Sequence, residues 1–408
     1  MEVQQKVIKG GLGQLRTKIF NVFLPGTPIS DFDFFAGRKQ QMNAVTSAIM
    51  QPGRHAILFG ERGVGKTSLA KVLVELESKN NFQVLKDGGT IDCDESDDFS
   101  SLWHKVFHAL PIEYKNSDTL ISPDDVRVVL SSLESPSLVV LDEVDQLKDE
   151  NAKSLLASTI KNLSNHRTNT TLLLVGVADT VNDLIVEQKS AERALVQVRM
   201  PRMSPEELFE IINKGLEELE MTIEPFAKSM IVTLAQRFPF YVHAFGLYAG
   251  LKAIDEGRTH ISTHDVSMAV LDVVLEAEKI RRAYHTATKS TQSKSRYDLA
   301  LLACAVAAQD EMGFFPAAEM CKWMSALLGR EYDVPRYVHY LAEFSDAKRG
   351  KVLHRIGDKG NFLYRFADPL MQPFVFIKAF GEGKISIDML PMLREKQTEE
   401  EGQSDLPF

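Results

Sequence analysis

Cysteine is scarce. Cys93, Cys304 and Cys321 are the three in 408 residues, far apart and without metal-ligand spacing. That excludes a disulfide framework or a thiolate zinc site and fits reduced, buried thiols. Long apolar runs are missing too, since the longest, residues 299–308, is too short to span a bilayer. The opening residues, MEVQQKVIKGG, lack the apolar core of a signal peptide. A cytoplasmic protein without membrane contact is therefore expected. Nor is there an excess of positive charge. The net charge is −9, so any contact with nucleic acid must come from a local basic patch. What the chain does have is 44% hydrophobic residues, enough for two or three domains with real cores.

The rest is organised around residues 56–68, AILFGERGVGKTS. Ala56, Ile57, Leu58 and Phe59 read as a buried parallel strand. Gly60, Glu61, Arg62, Gly63, Val64, Gly65, Lys66 and Thr67 match G-x-x-x-x-G-K-[ST] in full, and Ser68 opens a run with helical apolar spacing. Glycines at 60, 63 and 65 let backbone N–H groups turn inward around a polyphosphate, at the positive end of the new helix. Lys66 is placed for the β- and γ-phosphates of ATP, and Thr67 for Mg²⁺.

A second apolar run, LVVLDEVD at residues 138–145, ends in adjacent acids. A central parallel strand delivers such acids to its C-terminal edge. Asp142 is placed to hold the Mg²⁺ shell and Glu143 to polarise the attacking water. Ahead of the glycine loop lies a Phe-x-Gly-Arg box containing Gly37 and Arg38.

These three segments resemble AAA+ ATPases of the origin-recognition/initiator type and the related STAND and archaeal ATPases. The resemblance implies that Gly37 and Arg38 pack beside the adenine. It also implies that the strand at residues 171–175 ends in a residue sensing the γ-phosphate. Asp179 stands where the initiator family usually has Asn. A carboxylate beside phosphate is repelled unless a cation or water intervenes, so Asp179 either senses, orders water or caps the next helix. A trans-acting arginine is implied near the end of the core. Arg193 is the first candidate, with Arg199 and Arg202 behind it; the alternative is a surface ion pair. In the lid, residues 238–243 (FPFYVH) occupy the place of the STAND Gly-x-Pro motif, which points to Pro239 at the nucleotide although the Gly is missing. Arg237 or His243 stands in for a lid sensor or is structural.

The implied architecture is α/β: a P-loop NTPase (AAA+) parallel-sheet core, an all-helical lid and a C-terminal winged-helix domain. Residues 1–33 read as an extended basic arm interrupted by glycines, 34–202 as the core, 203–283 as the lid and 284–295 as a polar linker. Residues 296–380 read as the winged helix, with three helical patterns and a hairpin, and 381–408 as an acidic, solvated tail. Arg336 and His339 on the third helix, and Lys348, Arg349, Lys351, Arg355, Lys359 and Arg365 about the hairpin, suit phosphates, while Glu343 opposes them. Residues 368–371 and Pro373 resemble the Asp-Pro-Leu segment ending the archaeal ATPases. Two functions stay open. One is an ATP-hydrolysing, homo-oligomerising switch that engages duplex DNA. The other is a STAND-like signalling ATPase that answers to a protein partner without touching DNA. Both exchange ATP for ADP.

Overall fold

The computed structural model describes residues 11–86, 88–112, 119–185, 193–290, 296–310, 312–329, 334–358 and 360–386. The chain divides into two compact units, Thr27–Arg202 and Met1–Gly26 with Met203–Phe408.

The first unit is built on six parallel strands: β1 (His55–Gly60), β2 (Gln83–Val84), β3 (Thr90–Asp92), β4 (Ser137–Asp142), β5 (Thr170–Val177) and β6 (Leu195–Arg199). Their order is β2-β4-β5-β1-β6, with β3 pairing the later part of β4. β4 is buried along its whole length and β5 for all but its last residue, as apolar runs covered on both faces must be. Trp103 and Phe107 of helix Phe99–Ala109 stack at 5.8 Å within that core. Helix starts satisfy their own backbone donors, for example through reciprocal Ser122–Asp125 bonds. His55 strengthens the centre of the sheet. Burial pushes its pKa down to about 4, so the ring stays neutral and Nδ1 accepts the Leu172 N–H at 3.0 Å.

The second unit contains helices Pro205–Glu218, Pro225–Leu234, Pro239–Asp255, Thr263–Glu276 and Glu278–Thr288. The expectation of an all-helical segment needs one addition, because Thr222–Ile223 pairs in parallel with His260–Ile261. The expected extended arm is also corrected: residues 11–22 form helix Gly11–Val22, with Leu15, Ile19 and Val22 buried. The glycines do not break it, since Gly11 and Gly13 meet nothing within 4 Å and packing outweighs their weak propensity. The partners are other glycines. A Cβ on Gly215 or Gly246 would stand 2.5 Å from the Phe23 ring, and one on Gly250 would stand 2.4 Å from Ile19 Cδ1.

The polar stretch expected to be a linker is helical to Thr288, because Tyr284 is buried against Phe374 at 5.6 Å. Helix Tyr297–Val306 then precedes strand Phe315–Pro316. Helices Ala317–Leu327 and Val334–Phe344 lead to the hairpin Leu353–Ile356/Leu363–Phe366, whose second strand also pairs with residues 315–316. Helix Met371–Gly381 returns to pack on helix Thr263–Glu276, where Gly381 lies against Val270. The Tyr241 hydroxyl donates to Leu370 O at 2.8 Å.

Candidate functional site

The central strand β1 runs straight into the glycine loop. Gly60, Gly63 and Gly65 have φ of 148°, 84° and 94°, a region that side chains with a Cβ rarely adopt. A Cβ at Gly60 would meet Met200 O at 2.4 Å, whereas at Gly65 it would meet nothing within 4 Å. The loop is therefore packed tightly below and open above. Helix Lys66–Lys79 starts at its end and aims unpaired N–H groups at the opening.

Lys66 is 7% exposed, and its Nζ donates to Gly60 O at 3.0 Å and Glu61 O at 2.7 Å. Burial pushes its pKa down to about 8, against the attraction of Asp145, Asp142 and Glu61. The Thr67 hydroxyl bonds the Asp142 carboxylate, which also accepts the Glu143 N–H at 2.8 Å. Asp142 is 3% exposed, and burial raises its pKa despite those bonds. β1 and β4 thus bring Lys66, Thr67 and Asp142 together across the intervening β5. Glu143 follows in a left-handed conformation (φ 55°) and is exposed. Partial desolvation of the carboxylate first, then Asp142, Asp92 and Asp145, raise its pKa; Arg62 of the loop opposes them.

Other expected residues fall into different roles. The Arg38 guanidinium is buried beneath the loop and donates to Val64 O at 2.8 Å and Pro201 O at 2.7 Å. It is a strut for the loop backbone. Gly37, at φ 69°, forms the turn before it. Ser68 Oγ accepts the Ile29 N–H at 3.2 Å. Arg202 is drawn onto Glu61 of its own loop, Nε to Oε2 at 2.7 Å and Nη2 to Oε1 at 3.2 Å. In the single chain that fork holds Arg202 against its own loop. Arg199 ends β6, exposed. Arg193 is exposed just before β6, and its carbonyl accepts Arg54 Nη1 at 2.7 Å. Asp179 is half-buried beyond the end of β5.

In the second unit, Pro239 is the first residue of its helix, following Gln236 and Arg237 at φ 47° and 70°. Arg237 Nε donates to Met203 O at 3.2 Å. His243 is corrected from a candidate sensor to a structural residue: it is buried, its pKa is pushed down to about 4 by that burial, and Nδ1 accepts the Leu24 N–H at 3.4 Å. Arg336, His339, Lys348, Lys351 and Arg355 are exposed. The Arg355 guanidinium lies 4.5 Å over the Phe362 ring, and that of Arg365 lies 4.6 Å over Phe314. Lys359 lies outside the described residues. Arg349 is internal, because it donates to Glu343 Oε2 at 2.9 Å and to Ala287 O at 2.8 Å. The Glu343 carboxylate also accepts from the Tyr297 hydroxyl at 2.6 Å.

Asp145 is the residue that motif reading missed. Its Oδ1 accepts the Val177 N–H at 2.7 Å, fastening the end of β5 to the acidic turn, and it acts on the Lys66 charge. Its position three residues after Asp142, at the end of the same acidic run, was the available signal.

A glycine cradle on β1, a buried lysine and a Thr–Asp pair at the end of β4 are the features of a P-loop nucleotide-binding site. The family model described as an AAA domain matches residues 49–185, and the chain carries that domain. No curated protein matches the chain. Among solved structures it is similar to RuvB, the Holliday junction branch migration motor of Thermotoga maritima, at 17% identity over 88% of this chain and 98% of that one, TM-score 0.43. It is similar to Cdc6p of Pyrobaculum aerophilum at 16% identity over 90% and 99%, TM-score 0.47. The Orc1 protein of Aeropyrum pernix, in complex with DNA, gives 15% identity over 88% and 96%, TM-score 0.49. Among the described residues no helix is long and apolar enough to cross a membrane.

Proposed function

We propose that the chain binds and hydrolyses ATP as an initiator-type AAA+ switch, and that residues 296–380 form a winged helix engaging duplex DNA. The observation that carries the first part is the bond between the Thr67 hydroxyl and the buried Asp142 carboxylate, beside Lys66. A hydroxyl and a carboxylate already paired at the mouth of a glycine cradle are the two oxygen donors that Mg²⁺ takes from this kind of site. When bound, Mg·ATP supplies the phosphoanhydride to be cleaved and the metal charge that neutralises its oxygens. Backbone N–H groups of the loop and Lys66 Nζ would hold the phosphates, Lys66 exchanging Gly60 O and Glu61 O for them. Asp145 would hold the end of β5, and with it Asp179, at a fixed distance from the acidic turn. The Glu143 carboxylate, more basic than usual because of partial desolvation and its acidic neighbours, would take the proton of the attacking water. Arg193 on the exposed rim would serve a neighbouring copy, making turnover depend on assembly.

For the C-terminal part, support comes from the helix–strand–helix–helix–hairpin order and the exposed bases Arg336, Lys351 and Arg355. The second reading, a protein-responsive switch, is favoured by Val338, 37% exposed on helix Val334–Phe344. The deciding experiment for the core is Glu143→Gln. Nucleotide affinity should be retained while ATP turnover falls about a hundredfold or more; unchanged turnover would remove the hydrolytic assignment.

A further inference from the structure

Helix Glu278–Thr288 spans the end of the expected lid and the start of the expected linker, and no binding role attaches to it. Its residues divide cleanly into two faces. Ile280, Tyr284 and Ala287 are buried. Lys279, Arg282, His285 and Thr286 are exposed, as is Lys289 just past the helix end, and their spacing of three and four places them on one side. Glu278, also exposed, is ion-paired with Arg282.

The face does not stop at the helix. Gly350, at the base of the hairpin, sits against Thr286; a Cβ there would be 3.3 Å from Thr286 Cγ2. Arg349 Nη1 fastens the same corner, donating to Ala287 O at 2.8 Å and Lys289 O at 3.0 Å. Its guanidinium lies 3.3 Å over the Tyr297 ring. Lys348 and Lys351 flank this junction and are both exposed. The acid there is Asp346, which accepts the Lys348 backbone N–H at 2.8 Å. One surface therefore carries Lys279, Arg282, Lys289, Lys348 and Lys351 around a rigid, internally bonded corner, in a chain whose net charge is −9.

We propose that this surface is a sequence-independent binding site for the phosphate backbone of duplex DNA, continuing the hairpin contact onto the lid helix. A strongly acidic protein that concentrates bases on one face spends them where a polyanion must be held. The Tyr297 ring at this corner is already covered by the Arg349 guanidinium, which leaves it no free platform for unstacked single-strand bases. The proposal rests on the DNA-engaging reading above and adds a second contact, fixed in register with the hairpin by Arg349. Duplex held there would be read for its backbone and not for its bases.

The test uses the full chain and a duplex of random sequence, titrated at several salt concentrations. Lys279→Gln, Arg282→Gln and Lys289→Gln together should weaken binding about tenfold or more. They should also flatten the salt dependence, by about one unit of slope for each phosphate that is no longer neutralised, with ATP turnover unchanged. Glu278→Gln should tighten binding, a gain that a damaged fold cannot imitate. Lys351→Gln with Arg355→Gln tests the hairpin separately. If the hairpin variant loses binding while the triple variant keeps wild-type affinity and slope, the helix face is overturned and the DNA-engaging reading stands. If the wild-type chain shows no salt-dependent duplex binding, both fall. Loss of an acidic protein partner in the triple variant, with duplex binding intact, also overturns the proposal.

Discussion

Lys66→Met should make the nucleotide-free protein more stable while abolishing nucleotide binding. Burial lowers the Lys66 pKa from 10.5 to about 8. At about 1.4 kcal/mol per unit, a charged lysine there costs roughly 3 kcal/mol relative to water. The cost is real because the side chain is 7% exposed, with little solvent left to screen it. Removing the amine leaves Gly60 O and the partly exposed Glu61 O without their donor, which takes back about 2 kcal/mol at about 1 kcal/mol for each acceptor. The net gain is about 1 kcal/mol, or a few degrees in melting temperature for a domain this size.

The pH dependence follows. The folded-state pKa lies below the unfolded value, so the penalty is fully present below pH 8. It is relieved as the pH rises from about 8 to 10.5, where the unfolded chain alone still binds the proton. Thermal unfolding without nucleotide, wild type against variant, from about pH 7 to 10, checks this. The wild type should gain on the variant across that window. A variant that melts lower at neutral pH, together with parallel pH curves, would refute the reasoning.

Glu143, with its pKa raised by partial desolvation and by Asp142, Asp92 and Asp145, should place the acid limb of the ATPase pH–rate profile above the ordinary glutamate value. An acid limb at that value or below it would exclude Glu143 as the base. Arg38→Met removes the donor to Val64 O and Pro201 O and should cost the core about 2–4 kcal/mol while weakening ATP affinity; unchanged melting and unchanged ATP titration would rule out the strut. Phe23→Ala empties the space framed by Gly215 and Gly246 and should destabilise its unit by about 3–5 kcal/mol. Hydrogen exchange in helices Gly11–Val22 and Pro239–Asp255 should then speed up, and unaltered protection would show that the wedge contributes nothing.

The strand, loop and helix of the core were legible in one dimension because they depend on consecutive residues. Residues 56–68 must form strand, loop and helix in that order, since a glycine loop holds phosphate only where a strand delivers it and a helix receives it. The apolar run ending at Asp142 could be little other than a central strand. The capped helix starts at Ser122 and Ser204 were equally local. Tertiary structure decided everything that depends on which distant group arrives. The partners of Arg38 and Arg202 in the folded chain, carbonyl oxygens and Glu61, come from remote segments that spacing could not reveal. His243 became a buried acceptor because residues 23 and 24 fold onto it. The glycines near the amino terminus suggest a broken helix, but Phe23 and Ile19 find matching glycines far along the chain. A charge or a gap is satisfied by proximity in space, and sequence spacing carries that information only within a few turns of the backbone.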